Sequence, residues 1–224
     1  MKQQLTFDLN RQPAYNREDF LVSDGNAQAF ALVEGYESWR SHAALITGPS
    51  GSGKTHLMHV WQGLADARAL SQAELMAEAW TVPVTQLPLN IAIDNIDTLV
   101  GESVAEKNLF HLLNVVKTSQ SRLLLTANKP PAQWNFAVKD LESRILALPA
   151  AVIQPPDEGL LFGLFAKLLH DRQLNVQPDV VSFTIMRLGR SCAEVIEAVE
   201  KLDAASLSEK RDITLPFVKK TLGI

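Results

Sequence analysis

A single cysteine, Cys192, stands among the 224 residues, so no disulfide can close within the chain and the thiol suits a reducing compartment. A basic excess is missing too: 21 Lys and Arg against 25 Asp and Glu leave a formal charge of −4. With a pI near 5.7 the surface should not attract a DNA backbone by itself, and any link to DNA is expected to pass through another protein. Apolar runs are short, well under the ~20 residues that a membrane-spanning helix requires, and Met1-Lys2-Gln3-Gln4 leads into no signal-like stretch. No internal repeat or low-complexity tract is present. The absences point to a soluble, cytoplasmic chain, and a 46% hydrophobic content supplies a sizeable core.

The most informative stretch is Gly48-Pro49-Ser50-Gly51-Ser52-Gly53-Lys54-Thr55, which satisfies the pattern G-x-x-x-x-G-K-S/T at every fixed position. It follows the apolar run Ala43–Thr47 and opens into His56-Leu57-Met58-His59-Val60-Trp61, giving strand, glycine loop and helix in the order a phosphate-binding loop needs. Its glycines allow successive backbone N–H groups to turn inward around a phosphate chain, and the helix N-terminus adds partial positive charge. Lys54 is expected to reach the terminal phosphates and Thr55 a magnesium ion. Asn90-Ile91-Ala92-Ile93-Asp94 is a nearly all-apolar run ending in an acid. That reads as a buried parallel strand delivering Asp94 to the magnesium beside Thr55 at the C-terminal edge of a sheet.

Around these two anchors the rest falls into order. Leu5, Phe7 and Leu9 alternate in Gln4–Leu9 and leave two readings open: an edge strand or frayed terminus, or an extended docking peptide whose apolar side chains enter pockets while Gln4 fixes register. Residues 26–39 carry helical spacing, 67–70 suit a short second strand, and Ser71-Gln72-Ala73-Glu74 has the form of a capping box for a helix over 73–79. A proline-punctuated loop occupies 82–88. An amphipathic helix is expected over 105–118, strands at 122–126 and 150–153, and a charged helical turn at 139–144. Asn128, just past a strand end, could sense a terminal phosphate or simply shape the turn before Pro130-Pro131. Pro155-Pro156 ends the α/β part, and helical patterns over 158–172, 178–188, 191–205 and from 215 onward form a small all-helical lid. The expected division is 1–17, peptide and linker; 18–156, α/β domain with a parallel five-stranded sheet; and 157–224, lid.

With its glycine loop, Ile93-Asp94-Asn95-Ile96 and the lid, the chain resembles the AAA+ ATPases over about residues 18 to 224, and within them the branch of the bacterial initiator DnaA. Leu45 through His59 is similar to that branch's loop and helix, including His56 after the threonine. Asp94-Asn95 resembles the DnaA-related Hda-type regulators, whereas DnaA has two acids there. Gln4 to Leu9 resembles the bacterial sliding-clamp binding motif, also a feature of those regulators, as is an end without DnaA's C-terminal DNA-binding domain. The resemblance implies ADP or ATP with magnesium as ligands, with His56 and Asn128 at the nucleotide. It implies DnaA and the clamp as partners, with DNA reached only indirectly, and allows a homo-oligomer.

Three further implications follow from the resemblance. Asn95 stands where ATP-hydrolysing relatives carry a second acid, and an amide cannot accept the proton of an attacking water, so intrinsic hydrolysis should be slow. Arg144, in Glu142-Ser143-Arg144, occupies the arginine-finger position, from which a guanidinium enters a neighbouring subunit's ATP site; the plainer reading is a surface ion pair with Glu142 or Asp140. The second-sensor arginine has no counterpart, since Ala193 falls at its place and Arg190 could replace it only if the helix were shifted or rotated. A nucleoside diphosphate should therefore be an adequate ligand. The initiator's single-strand-binding insertion is shortened between Leu70 and Leu89. Rival readings are a nucleotide-gated adaptor or helicase-loader-like protein and an independent P-loop enzyme.

Overall fold

A computed structural model describes residues 16–78 and 90–224. The expectations for Gln4, Leu5, Phe7 and Leu9, and for the 82–88 loop, lie outside the described residues.

Runs such as Ala43–Thr47, apolar up to the closing threonine and buried at every position, suit strands covered on both faces. Five strands, β1 (Ala43–Thr47), β2 (Arg68–Ala69), β3 (Asn90–Ile93), β4 (Arg122–Ala127) and β5 (Ala150–Val152), form a sheet in the order β2-β3-β4-β1-β5. Every pairing is parallel. Successive side chains alternate between faces. Ala43 and Leu45 therefore join one core with Ile93 and Leu125, while Ala44 and Ile46 join another with Ala92 and Leu124.

Helices α1 (Ala27–Glu34) and α2 (Lys54–Ala65) cover the second face. The first is covered by α3 (Gln72–Leu75), α4 (Ser103–Thr118) and α5 (Lys139–Leu146). Leu109, Leu112 and Val116 recur at helical spacing along α4 and are buried; each contributes roughly 1.5–3 kcal/mol of transfer free energy, so a charge at Leu112 would break this layer. Four further helices, α6 (Glu158–Asp171), α7 (Pro178–Ile185), α8 (Cys192–Glu209) and α9 (Leu215–Leu222), enclose their own core around Phe165, Val195, Val199 and Phe217. Asp157 and Ser191 cap α6 and α8 by accepting from Leu160 and Ala193 backbone N–H groups. Among the described residues no helix is long and apolar enough to cross a membrane.

Several boundaries differ from the sequence expectation for local reasons. The helix expected over 26–39 ends at Glu34, and a 3-10 turn, Tyr36–Ser38, follows Gly35. That turn swings Trp39 onto Trp61, with ring centroids 5.6 Å apart, and the Trp39 indole donates to the Leu32 carbonyl. The predicted capping box is present, but α3 stops at Leu75 because Asn108 of α4 donates to the carbonyls of Leu75 and Ala77. In the lid, α7 ends at Ile185 and α8 runs on to Glu209.

Candidate functional site

Parallel strands end their chains at one sheet edge, and the register places Thr47, Ile93 and Ala127 near that edge on adjacent strands. The loop Gly48–Gly53 leaves β1 there and enters α2 directly. Two of its residues require glycine geometry: Gly51 has φ +72° and Gly53 φ +99°. A Cβ on Gly48 would lie 2.5 Å from the Ile153 carbonyl oxygen, so this strand exit admits no side chain. Lys54 is buried, with its ammonium donating to the carbonyls of Gly48 (2.9 Å) and Pro49 (2.8 Å). Burial pushes its pKa below the ordinary lysine value, and Asp94 and Asp97 pull it partly back. Ser52 is buried, and its hydroxyl has no hydrogen-bond partner among the described residues. An orphaned hydroxyl, a lysine held on loop carbonyls and a side-chain-free strand exit together fit a phosphate chain in the loop. Pro49 and Ser50 form its exposed rim.

Thr55 and Asp94 are brought together: the Thr55 hydroxyl donates to Asp94 Oδ2 at 2.7 Å. The other carboxylate oxygen accepts from Thr126 of β4 and from the Asn95 backbone N–H. Hydroxyl and carboxylate at one edge form a hard-oxygen pair suited to magnesium. Asn95 sits in the left-handed region at φ 52°, and its side-chain oxygen accepts from Asn128 Nδ2 at 3.1 Å. Gln72 of α3 reaches in to donate to the carbonyls of Asp94 and Asn95. Neither Thr126 nor Gln72 was foreseen from the sequence, for each is defined only by strand and helix adjacency.

The lid touches the loop itself. The Cys192 backbone N–H donates to the Gly51 carbonyl at 3.1 Å, and a Cβ on Gly51 would lie 2.2 Å from Ser191 Oγ and 3.6 Å from the Ala193 methyl. Ala193 thus stands over the glycine loop with no cation to offer. Arg190 is exposed and turned to Glu158, 3.8 Å away. Burial raises the Cys192 thiol to about 11.

His56 packs against the entry segment beside the loop. It meets the buried ring of Phe20 edge-on, with centroids 5.3 Å apart, and lies 3.5 Å from the Asn16 carbonyl. Burial lowers its pKa from the ordinary histidine value. Phe20 in turn would lie 3.6 Å from a Cβ on Gly53. The neighbouring Asp19 accepts from Lys167 of α6 at 2.6 Å, tying this entry segment to the lid. Phe20 and Asp19 were missed in the sequence because no motif marks them.

Arg144 is elsewhere. It stands with His42 and Arg40 around one cleft, and both precede β1, whereas the glycine loop follows β1. The six steps from His42 to Gly48 span roughly 20 Å at strand rise, so Arg144 lies toward the sheet edge opposite its own loop. Its guanidinium lies 4.3 Å from the Phe110 ring centroid, and Nη1 donates to Asn114 Oδ1 at 2.6 Å. The ion pair considered for it does not form: Glu142 pairs with Lys139.

A parallel sheet in this strand order, a glycine loop at its C-terminal edge and a helical lid over that loop define an AAA+ module. Residues 165–222 match the family of the Hda lid domain. Domain III of DnaA from Thermotoga maritima superposes with a TM-score of 0.83 at 18% identity, over 95% of this chain and 97% of that one. AMPPCP-bound DnaA from Aquifex aeolicus gives 0.73 at 18% identity, over 89% and 70%. The RuvB Holliday junction branch migration motor of Thermotoga maritima gives 0.69 at 16%, over 93% and 71%. The chain thus has the fold of the DnaA AAA+ domain, and its lid matches the Hda lid family over residues 165–222.

Proposed function

We propose that this chain is an Hda-type negative regulator of replication initiation. In this reading the glycine loop binds ADP or ATP with magnesium on Thr55 and Asp94, residues 4–9 attach the protein to the sliding clamp, and Arg144 enters the ATP site of DnaA to accelerate its hydrolysis. Residues 1–17, 18–156 and 157–224 then serve as clamp peptide and linker, nucleotide domain and lid, in the cytoplasm. The observation that supports the reading is the placement of Arg144 with Arg40 and His42, away from its own loop, as a residue acting on a partner's nucleotide would be. An arginine so presented is worth on the order of 10³ or more in rate. AMPPCP in the Aquifex aeolicus DnaA structure supports a nucleotide in the corresponding loop here.

The test is hydrolysis of DnaA-bound ATP with purified protein, clamp and DNA. Arg144→Ala should keep nucleotide and clamp binding but lose the stimulation; a variant that stimulates normally would overturn the reading. An adaptor without ATPase-activating role is the second reading, and it predicts no acceleration of phosphate release by the unaltered protein.

A further inference from the structure

Resting on that reading of Arg144, we propose that Arg40 and Lys117 complete with it a three-cation site that seats the phosphate chain of a nucleotide held by the partner AAA+ domain. The cleft measures about 360 Å³. It is bounded by Arg40 and His42 ahead of β1, by Asn114 and Lys117 near the end of α4, and by Arg144 of α5. No carboxylate among the described residues lines it. Among the described residues, none of its three cations takes part in an ion pair, although many cations elsewhere in this acidic chain do. Three uncompensated positive charges around one concavity repel each other, an arrangement relieved by a polyanion and not by a neutral surface.

The wall behind them is fixed. Arg122 donates to His42 Nδ1 at 2.7 Å and to the carbonyls of Gln120 and Glu37, both at 3.1 Å, so this fourth cation is consumed in holding the floor of the cleft. Arg144 is aimed by Phe110 and Asn114, whereas Arg40 and Lys117 are exposed and free to close around a ligand. Such flanking charges speed encounter and favour a bound anion over its hydrolysed, less charged product.

The experiment uses the full chain with Arg40→Ala, Lys117→Ala and the double substitution, beside Arg144→Ala. The readouts are the protein concentration giving half-maximal stimulation of DnaA-bound ATP hydrolysis as salt is raised, the binding of labelled ADP to the chain's own loop, and thermal stability. We expect each single variant to raise that concentration by roughly threefold to tenfold and the double variant by more, with a shallower salt dependence. ADP binding and melting temperature should stay unchanged. If Arg144→Ala abolishes stimulation while the double variant is unaffected, this proposal falls and the finger reading stands; if Arg144→Ala is also silent, the finger reading falls. If the unaltered chain binds a DNA duplex in a separate titration and the double variant loses that binding with stimulation intact, the proposal falls in favour of backbone phosphates. A lowered melting temperature with unchanged half-maximal concentration would overturn it too, reducing Lys117 to a counter-charge for the C-terminus of α4.

Discussion

The guanidinium of Arg144 is stacked over Phe110 and hydrogen-bonded to Asn114, so a cation on α5 is aimed by two residues of α4. Residues 110 and 114 are one helical turn apart and share a face. Arginine alone satisfies both contacts, since a planar fork can stack and donate together. Under the proposed function, Arg144→Lys should therefore lose most of the stimulation of DnaA-bound ATP hydrolysis despite its retained charge. Asn114→Ala, which deletes one hydrogen bond worth ~1 kcal/mol, should cost roughly fivefold to tenfold, read as phosphate released per DnaA.

The buried carboxylate of Glu106 steadies the same helix from behind. It accepts from the backbone N–H groups of Gly101 (2.7 Å), Ala137 (3.0 Å) and Val138 (2.6 Å), and Val138 is the N-cap of α5. Glu106→Ala leaves three donors in a nearly dry site, at ~1–3 kcal/mol for each unpaired group. A fall in melting temperature of roughly 6 °C or more is expected by differential scanning fluorimetry. Glu106→Gln, which keeps one accepting oxygen, should fall less.

Gly51 joins loop to lid. An alanine there would meet Ser191 Oγ at 2.2 Å while forced to hold φ +72°. The N-terminus of α8 must then retreat, breaking the bond from the Cys192 N–H to the Gly51 carbonyl. Gly51→Ala is expected to weaken ADP binding by tenfold or more, measured by fluorescence titration. Pairing it with Ser191→Gly should recover part of the loss by removing the obstructing hydroxymethyl group.

How much of this could be read beforehand depends on whether a feature is local in sequence. The glycine loop, Asp94 at a strand end and the Ser71 capping box are spelled by adjacent residues, and the structure places each where the pattern requires. Trp39 on Trp61, Asn108 ending α3, and Glu106 gripping α5 join residues 22 or more positions apart, and no window of sequence displays them. His56 is local in its motif but not in its packing: its place after Thr55 is spelled by the sequence, whereas its edge-on contact with Phe20, 36 positions away, is not.

That burial of His56 gives stability a pH dependence. With its folded pKa below the unfolded value near 6.5, the unfolded chain binds the proton first as pH falls. Stability from this residue is complete above that value and declines as pH drops through and below it. Chemical denaturation at pH 7.5 and at about 5.5 should show the loss, and His56→Phe should flatten it by removing the titrating group. An unchanged slope in the variant would place the acid sensitivity elsewhere.

Asn95 offers the most direct test of why the protein should hold a nucleotide without consuming it. The residue follows Asp94, takes a left-handed backbone that asparagine and aspartate both tolerate, and its side-chain oxygen already accepts from Asn128. Asn95→Asp therefore changes one atom, keeps the acceptor toward Asn128 and adds a carboxylate able to take a proton from water. Positioned general bases contribute ~10²–10⁴ in rate. With Ala193 in place of a lid cation, the gain in intrinsic ATP turnover should fall at the lower end of that range, about a hundredfold, followed by phosphate release from the isolated chain. Asn95→Asp combined with Lys54→Ala should be silent, because the water that the carboxylate deprotonates has no seated phosphate chain to attack. If the single variant also remained silent, slow turnover would have to be traced to the missing lid cation, and Ala193→Arg would be the substitution expected to restore it.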